Sequence, residues 1–248
     1  MSTVDFKDKR IWIMGASSGI GQALARELAA RGARLVLSAR SVEPLDALKA
    51  ELCQGEVVPC DVSDPESLDD ARGEILSHGK LDAMIITAAL YDPGRVDEIE
   101  RDAARKLVEV NLLGTLWFAQ AAPGLLREGG QLVIFGSVAG IFGLPKGQLY
   151  SASKAAVINL VESLRVEYAP AIDVRLISPG FVKTRLTEKN DFAMPFVIEA
   201  DEAARRIADG LAKNRFETHF PRRLTWQLKL LKRLPYALSL RLTKRMGG

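Results

Sequence analysis

Six short apolar runs recur between stretches of helical period, and this alternation restricts the fold more than any other feature of the chain. Residues 10–14 (Arg-Ile-Trp-Ile-Met) predict a first strand, the glycine-rich stretch 15–21 a tight turn, and residues 22–31 a helix. Further strands are predicted at 34–39, 56–60, 82–88, 131–135 and 174–178, with helices over 43–54 and 65–78. Strands that alternate with helices pair in parallel, because parallel neighbours need long crossovers, and the crossover helices cover both faces of the sheet. The expected architecture is α/β, a doubly wound parallel sheet. A chain of 248 residues, 48% of them hydrophobic, is long enough to bury such a core as one domain.

Several function classes are excluded early. Two cysteines (Cys53, Cys60) and two histidines (His78, His219), without C-x-x-C or H-x-x-x-H spacing, do not make a structural metal site, so none is expected. The first ten residues, MSTVDFKDKR, hold charge and no apolar core of a signal peptide, and no run approaches the ~18 apolar residues of a spanning helix. A cytoplasmic protein with reduced thiols is the expectation. Charge is unevenly placed. Residues 222–248 carry eight Lys and Arg and no acid, which leaves residues 1–221 at a net −5. Two parts are therefore expected: a body over 1–221 and a basic extension over 222–248.

The turn Met14-Gly15-Ala16-Ser17-Ser18-Gly19-Ile20-Gly21 joins the first strand to the first helix. A helix start presents unpaired N–H groups and partial positive charge, and residues lacking Cβ let a pyrophosphate approach them closely. The context of strand, turn and helix turns this pattern into a dinucleotide-binding signal, with Gly15, Ser17, Ser18, Gly19, Ile20 and Gly21 around the phosphates. After the second strand, where an acid would hold the ribose hydroxyls of NAD(H), the chain reads Ser38-Ala39-Arg40-Ser41. A guanidinium there binds a 2′-phosphate, so NADP(H) is favoured, with NAD(H) the alternative. Asp61, beside Val62 after the third strand, can accept from the adenine amino group, although Asp61 to Asp64 also reads as a helix N-cap region.

Tyr150-Ser151-Ala152-Ser153-Lys154 places a phenol and an ammonium four residues apart, on one face of a helix. A phenol with a pKa near 10 is a poor proton donor or base at neutral pH, and a neighbouring cation favours its ionised form. Lys154 is expected to lower the pKa of Tyr150. Tyr91, Tyr168 and Tyr236 have no lysine at that spacing and are expected to be structural.

Taken in order, these motifs resemble the short-chain dehydrogenase/reductase family from about Lys9 to about Phe220. Gly15, Gly19 and Gly21 match its glycine turn, Asn111 its helix asparagine, and Ser137, thirteen residues before Tyr150, its serine. Tyr150 and Lys154 complete the set. Ser178-Pro179-Gly180-Phe181-Val182-Lys183-Thr184 resembles the segment after the sixth strand. The resemblance implies a Rossmann-like oxidoreductase in which Tyr150 gives a proton to a carbonyl oxygen that Ser137 also bonds. The alternative is a non-catalytic dinucleotide-sensing or scaffold protein on the same fold, which has no use for the full set of Ser137, Tyr150 and Lys154. The resemblance further implies that Lys154 holds the ribose hydroxyls, that Asn111 positions a water, and that Ala88, Pro179, Gly180, Val182 and Thr184 contact the cofactor. Most members are oligomers, so a homo-oligomer is expected. The sequence departs from the family at Met14, where a threonine is usual, and at Ile86-Thr87-Ala88-Ala89, where Asn-Asn-Ala-Gly is usual. Thr87 keeps a side chain able to hydrogen-bond.

Beyond Pro221, helical projection gathers Leu224, Trp226, Leu228, Leu230, Leu231 and Leu234 into one broad arc opposite Lys229, Lys232 and Arg233. Pro235 divides this segment from another in which Leu238, Leu240 and Leu242 oppose Arg241, Lys244 and Arg245. Two basic amphipathic helices are predicted. They serve either as a peripheral contact with the inner face of a membrane or as a packed lid or subunit contact. Nucleic acid is not an expected partner, because the apolar arc exceeds what phosphate binding needs. Each tail reading favours an apolar, lipid-like carbonyl or alcohol as substrate.

Overall fold

The computed structural model describes residues 5–143, 146–190 and 194–244. Its strands are β1 (Arg10–Met14), β2 (Arg34–Ser38), β3 (Glu56–Val57), β4 (Leu81–Ile86), β5 (Leu126–Phe135), β6 (Ile172–Pro179) and β7 (Glu217–Phe220). All pair in parallel, in the order β3-β2-β1-β4-β5-β6-β7. The helices between them are α1 (Gly19–Ala30), α2 (Glu43–Leu52), α3 (Pro65–Ser77), α4 (Arg101–Val108), α5 (Gly114–Leu125), α6 (Gln148–Glu167) and α7 (Ala200–Leu211). The doubly wound Rossmann-like sheet expected from the alternation is present.

Strand periodicity explains the two-sided core. In β1, Ile11 and Ile13 enter one apolar layer with α1 and α7 residues, whereas Trp12 and Met14 enter the opposite layer with α3, α5 and α6 residues. In β5, Val133 and Phe135 face the first layer, and Leu132 and Ile134 the second. The indole of Trp12 is fully buried without an orphaned donor, because its Nε1 donates to Ser38 Oγ on the neighbouring strand at 2.8 Å. Asp64 caps α3 by accepting from Glu66 N at 3.1 Å, and Pro65 follows at the first helical position.

Some boundaries differ from the sequence reading. β3 shortens to two residues, and α2 ends at Leu52 because Cys53 turns left-handed at φ 51°. The strand predicted at 131–135 starts at Leu126, through a register irregularity against β4 between Leu81 and Ala83. β7 was not predicted. Its Glu-Thr-His-Phe sequence buries only Phe220 among its four residues, so it lacks the apolar alternation of a core strand.

The tail forms two helices broken at Pro235, α8 (Arg222–Arg233) and α9 (Tyr236–Lys244). Arg245, expected on the basic face of the second, lies outside the described residues. The expected single apolar arc is split by the structure. Leu224, Leu228 and Leu231 pack on Val138 and Ile141 of the body, whereas Trp226 and Leu230 are 60% and 63% exposed. Among the described residues no helix is long and apolar enough to cross a membrane, and no group of three or more His, Cys, Asp or Glu is placed to hold a metal ion. Cys53 and Cys60 are free thiols.

Candidate active site

The reversal of strand order between β1 and β4 opens a crevice at the carboxyl edge of the sheet, where doubly wound folds bind ligands. A cavity of about 280 Å³ there is lined by the glycine turn, by Ala39, Arg40 and Ser41 after β2, by Cys60, Asp61 and Val62 after β3, and by Thr87 to Leu90 after β4. Gly15, Ser17, Ser18, Gly19, Ile20, Gly21, Arg40, Asp61, Val62, Ala88 and Thr184 thus gather on one cleft.

The glycines are required by space. Gly15 adopts φ +96°, and a Cβ on it would lie 2.6 Å from Ala88 N, while one on Gly21 would lie 2.1 Å from Gly15 O. Ser18 begins α1 without a side-chain cap bond, and no acid occupies the first turn. The first helical amides therefore have neither a capping oxygen nor a carboxylate to satisfy them, and they form an anion-binding end. Thr87, where the family has asparagine, donates toward Met14 O and Gly15 O at 3.1 Å each, tying β4 to the glycine turn. Thr184 lies over this turn, since a Cβ on Gly19 would meet its Cγ2 at 3.2 Å.

At the β3 end of the cleft, Asp61 Oδ1 accepts from Ser63 N at 2.9 Å and from Ser63 Oγ at 2.6 Å. Burial works against its charge, but these bonds and the charges of Lys106 and Arg40 prevail and hold the carboxyl below its ordinary value. Arg40 lines the same cleft. Burial pushes the Cys60 thiol up to about 11, so it stays protonated and unreactive at neutral pH. Arg185 and Leu186 also line the cleft. Sequence reasoning missed both, because their residue types form no motif.

Ser137, Tyr150 and Lys154 are not among the residues lining this cavity but converge beside it, Lys154 reaching the carbonyl of Phe135, which does line it. Ser137 starts a 3₁₀ turn (Val138–Gly140) just after β5 and accepts from Ala139 N at 3.1 Å. Gly140 explains the approach: a Cβ there would lie 2.6 Å from the backbone carbon of Lys154, so only glycine lets this turn rest directly on α6. The Ser137 hydroxyl lies near enough to the Tyr150 phenol to pull its pKa down. One helical turn on, Lys154 is buried and donates from Nζ to Phe135 O at 2.8 Å, with Nζ 5.9 Å from the Tyr150 ring centroid. Phe135 itself lines the cleft.

The electrostatics correct one expectation. Lys154 does not bring the Tyr150 phenol down. Burial pushes the phenol up to about 12, against the lowering pull of the Ser137 hydroxyl, and Tyr91 adds to the rise. Burial likewise brings Lys154 down to about 8. Both shifts favour neutral forms, as low-dielectric surroundings do.

Asn111 lies in a π-helical turn (Glu109–Leu113) between α4 and α5, fully buried. Its Oδ1 accepts from Leu90 N at 2.7 Å, and its Nδ2 donates to Leu90 O at 2.9 Å and to Ser153 Oγ at 3.2 Å. The side chain therefore braces the loop after β4 against α6. Pro179, Gly180 and Val182 lie at the end of β6 and just beyond, and are not among the residues lining the cavity. Gly180 is constrained from elsewhere, since its Cβ would meet Pro221 Cδ at 2.9 Å, and Val182 is buried and bridged to Ile198.

Tyr91, expected to be structural, stands edge-on to the Tyr150 ring with centroids 4.8 Å apart, and its hydroxyl donates to Asn190 Oδ1 at 2.6 Å. Its ring therefore covers one edge of the Tyr150 ring. Replacing Tyr91 with alanine is expected to shift kcat/KM between slim and bulky substrates by about tenfold, the scale of a pocket-shape change. A substrate panel measured with both proteins checks this, and an unchanged ranking would return Tyr91 to a structural role.

A parallel-sheet switch point with a glycine-lined helix start defines a nucleotide-binding class of protein. The family model for short chain dehydrogenases matches residues 9–194, and the chain belongs to that family of oxidoreductases. It is 34% identical over 250 residues to an uncharacterized oxidoreductase of Mycobacterium tuberculosis, covering 96% of this chain and 97% of that one. It is also 34% identical over 192 residues to 11-beta-hydroxysteroid dehydrogenase A of Sesamum indicum, covering 74% of this chain and 55% of that protein. Among solved structures, a short chain dehydrogenase of Burkholderia cenocepacia in complex with NADP superposes with a TM-score of 0.85 at 26% identity, covering 96% of this chain and 99% of that one.

Proposed function

We propose that the protein is an NADP(H)-dependent reductase that converts an apolar, lipid-like ketone or aldehyde to its alcohol. The observation that carries this reading is the Ser137–Tyr150 hydroxyl pair beside the cleft, with Lys154 one turn further along α6. A bound nicotinamide dinucleotide would supply the hydride. The first amides of α1 bind its phosphates, Thr184 covers the glycine turn, and Lys154 holds ribose hydroxyls. Ser137 donates a hydrogen bond to the substrate carbonyl oxygen, and Tyr150 passes that oxygen its proton. With its pKa pushed up to about 12 the phenol holds its proton at neutral pH and is a weak acid, so it gives that proton up only to the more basic alkoxide that develops as the carbonyl oxygen gains charge. Asn111 holds the loop after β4 and so positions the wall opposite α6. In this reading it also orders a water in the proton relay, and Pro179, Gly180 and Val182 support the nicotinamide end.

Residues 1–221 act as the dinucleotide-binding catalytic unit. The extension backs the catalytic turn in this reading, because α8 leucines pack against Val138 and Ile141, directly after Ser137, with Phe142 and Phe181 alongside. Apolar packing at this end of the cleft favours a hydrophobic substrate. The steroid dehydrogenase relative points the same way. The reading includes a cytoplasmic location and, from the family resemblance, a homo-oligomer.

Preference for NADP(H) over NAD(H) rests on Arg40, exposed at the cleft edge with no carboxylate at the end of β2. Changing Arg40→Asp removes a charge-assisted contact to a 2′-phosphate and adds repulsion. The kcat/KM ratio for NADPH over NADH should fall by about 10- to 100-fold, the scale of 1.5–3 kcal/mol. Steady-state kinetics with both cofactors on a panel of hydrophobic carbonyl compounds tests the assignment. Turnover of none of them with either cofactor would reject it.

A further inference from the structure

The outward side of the tail helices is built for contact with something other than water. On α8, the inward leucines are held by the body, yet Trp226 and Leu230 lie one turn apart on the opposite side, 60% and 63% exposed. Arg222 and Arg223 precede Trp226 by four and three residues, and Arg233 follows Leu230 by three, so all three flank this pair on the helix surface. α9 is inverted relative to a helix adapted to water. Its hydroxyl residues Ser239 and Thr243 are buried, with Thr243 Oγ1 donating to Ser239 O at 3.1 Å. Meanwhile Tyr236, Leu238, Leu240 and Leu242 are 77%, 47%, 55% and 39% exposed.

The cations are equally unspent on the fold. Of those in α8 and α9, only Lys229 pairs with a carboxylate among the described residues, that of Glu217. A groove of about 560 Å³ beside the start of α8 extends the same charge, with Lys213, Arg215, Arg222 and Arg223 on its walls beside Arg206, which pairs with Glu202. Its acids are engaged elsewhere, Asp209 by Arg31 and Glu217 by Lys229.

We propose that the outward face of α8, together with α9 and the adjoining basic groove, is a docking surface for an anionic lipid bilayer. Charge complementarity selects this occupant. Polar headgroups carrying negative charge meet the unpaired arginines and lysines, and the exposed tryptophan, tyrosine and leucines enter the boundary with the acyl chains. A second copy meeting tail to tail would bring two acid-free, strongly basic segments together. A phosphate backbone alone would leave the leucines in water. The proposal goes beyond the catalytic reading and stands without it, since the surface is separate from Ser137, Tyr150 and Lys154.

The test is co-sedimentation of the full chain with vesicles of phosphatidylcholine alone and of phosphatidylcholine mixed equally with phosphatidylglycerol, at low and high salt. Binding to the anionic vesicles is expected to exceed binding to the neutral ones by at least tenfold and to weaken with salt. Two variants probe the two components: Trp226→Glu with Leu230→Glu, and Arg222→Gln with Arg223→Gln. All four side chains are exposed, so thermal unfolding should stay near that of the parent. Each double variant should lose about tenfold or more in partitioning, a charge near the surface being worth about 1 kcal/mol. Tryptophan emission of the parent should shift to the blue on anionic vesicles, and that shift should vanish in the first variant. Equal binding to both vesicle types, no binding to either, or unchanged binding of the variants would overturn the proposal. Conversion of an oligomer to a smaller species by the first variant, without vesicle binding by the parent, would assign the face to a second copy instead.

Discussion

Tyr150→Phe should cut NADPH-dependent carbonyl reduction by about a thousandfold in kcat while leaving NADPH affinity within a few-fold of the parent. The substitution removes one hydroxyl. Its ring keeps the edge contact with Tyr91 at 4.8 Å between centroids, and α6 is unaffected. Ser137 loses the Tyr150 hydroxyl as neighbour but still accepts from Ala139 N. Folding should therefore be preserved, and unfolding temperatures should agree within a degree or two. What disappears on the proposed reading is the proton donor, and positioned acid–base groups contribute about 10² to 10⁴ in rate. Ser137→Ala provides the companion measurement. It removes a bond to the substrate oxygen but leaves the donor, and its loss should be smaller. Cofactor titration by fluorescence and turnover on the same preparation separate binding from chemistry. Turnover by Tyr150→Phe equal to that of the parent would discard the phenol as the acid and leave the cleft as a binding site only.

The sequence makes the interior of this fold legible because burial on both faces of a parallel sheet demands apolar runs, and β1, β2, β4 and the latter half of β5 are such runs. It says less where burial is partial. β7 is an edge strand of Glu, Thr, His and Phe, with pairing supplied by β6 and no apolar pattern of its own. The glycine turn and the Tyr150/Lys154 pair are local in sequence and could be read there. Tyr91 could not. Its position against Tyr150 depends on the loop after β4 being pinned at Gly94, whose N–H donates to Lys146 O at 3.0 Å and whose carbonyl accepts from Gln148 Nε2. The tail illustrates a different limit. A helical wheel sorts residues by angle but does not say where the body touches, and contact with Val138 and Ile141 takes only half of the apolar arc.

Lys154→Met should give a protein that is more stable and nearly inactive. In the folded chain burial holds the Lys154 ammonium near a pKa of about 8, against an ordinary value of 10.5, and the residue is only 3% exposed. At pH 7 the group is charged whether folded or unfolded, so the folded state carries the whole cost of burying that charge, on the order of 3 kcal/mol. Loss of its bond to Phe135 O returns about 1 kcal/mol of that. The net gain of about 2 kcal/mol should raise Tm by about 4–8 °C in a chain of this size. The sign with pH follows from linkage. Between about pH 8 and 10.5 the unfolded chain holds a proton that the folded chain has released, so parent stability rises across this window. The advantage of Lys154→Met should therefore be full below pH 8, be gone by about pH 9.5, and reverse above it by the lost bond to Phe135. Function should move the other way. With no ammonium to hold the ribose hydroxyls or face the Tyr150 ring, NADPH should stabilise the variant less than the parent, and kcat/KM should fall by about 100-fold or more. The parent's own kcat/KM should decline above about pH 8 as Lys154 loses its charge, well before Tyr150 titrates near 12. Thermal unfolding across pH with and without NADPH checks both halves. A buried lysine kept for packing alone would give the opposite pairing, with Lys154→Met losing stability and keeping turnover.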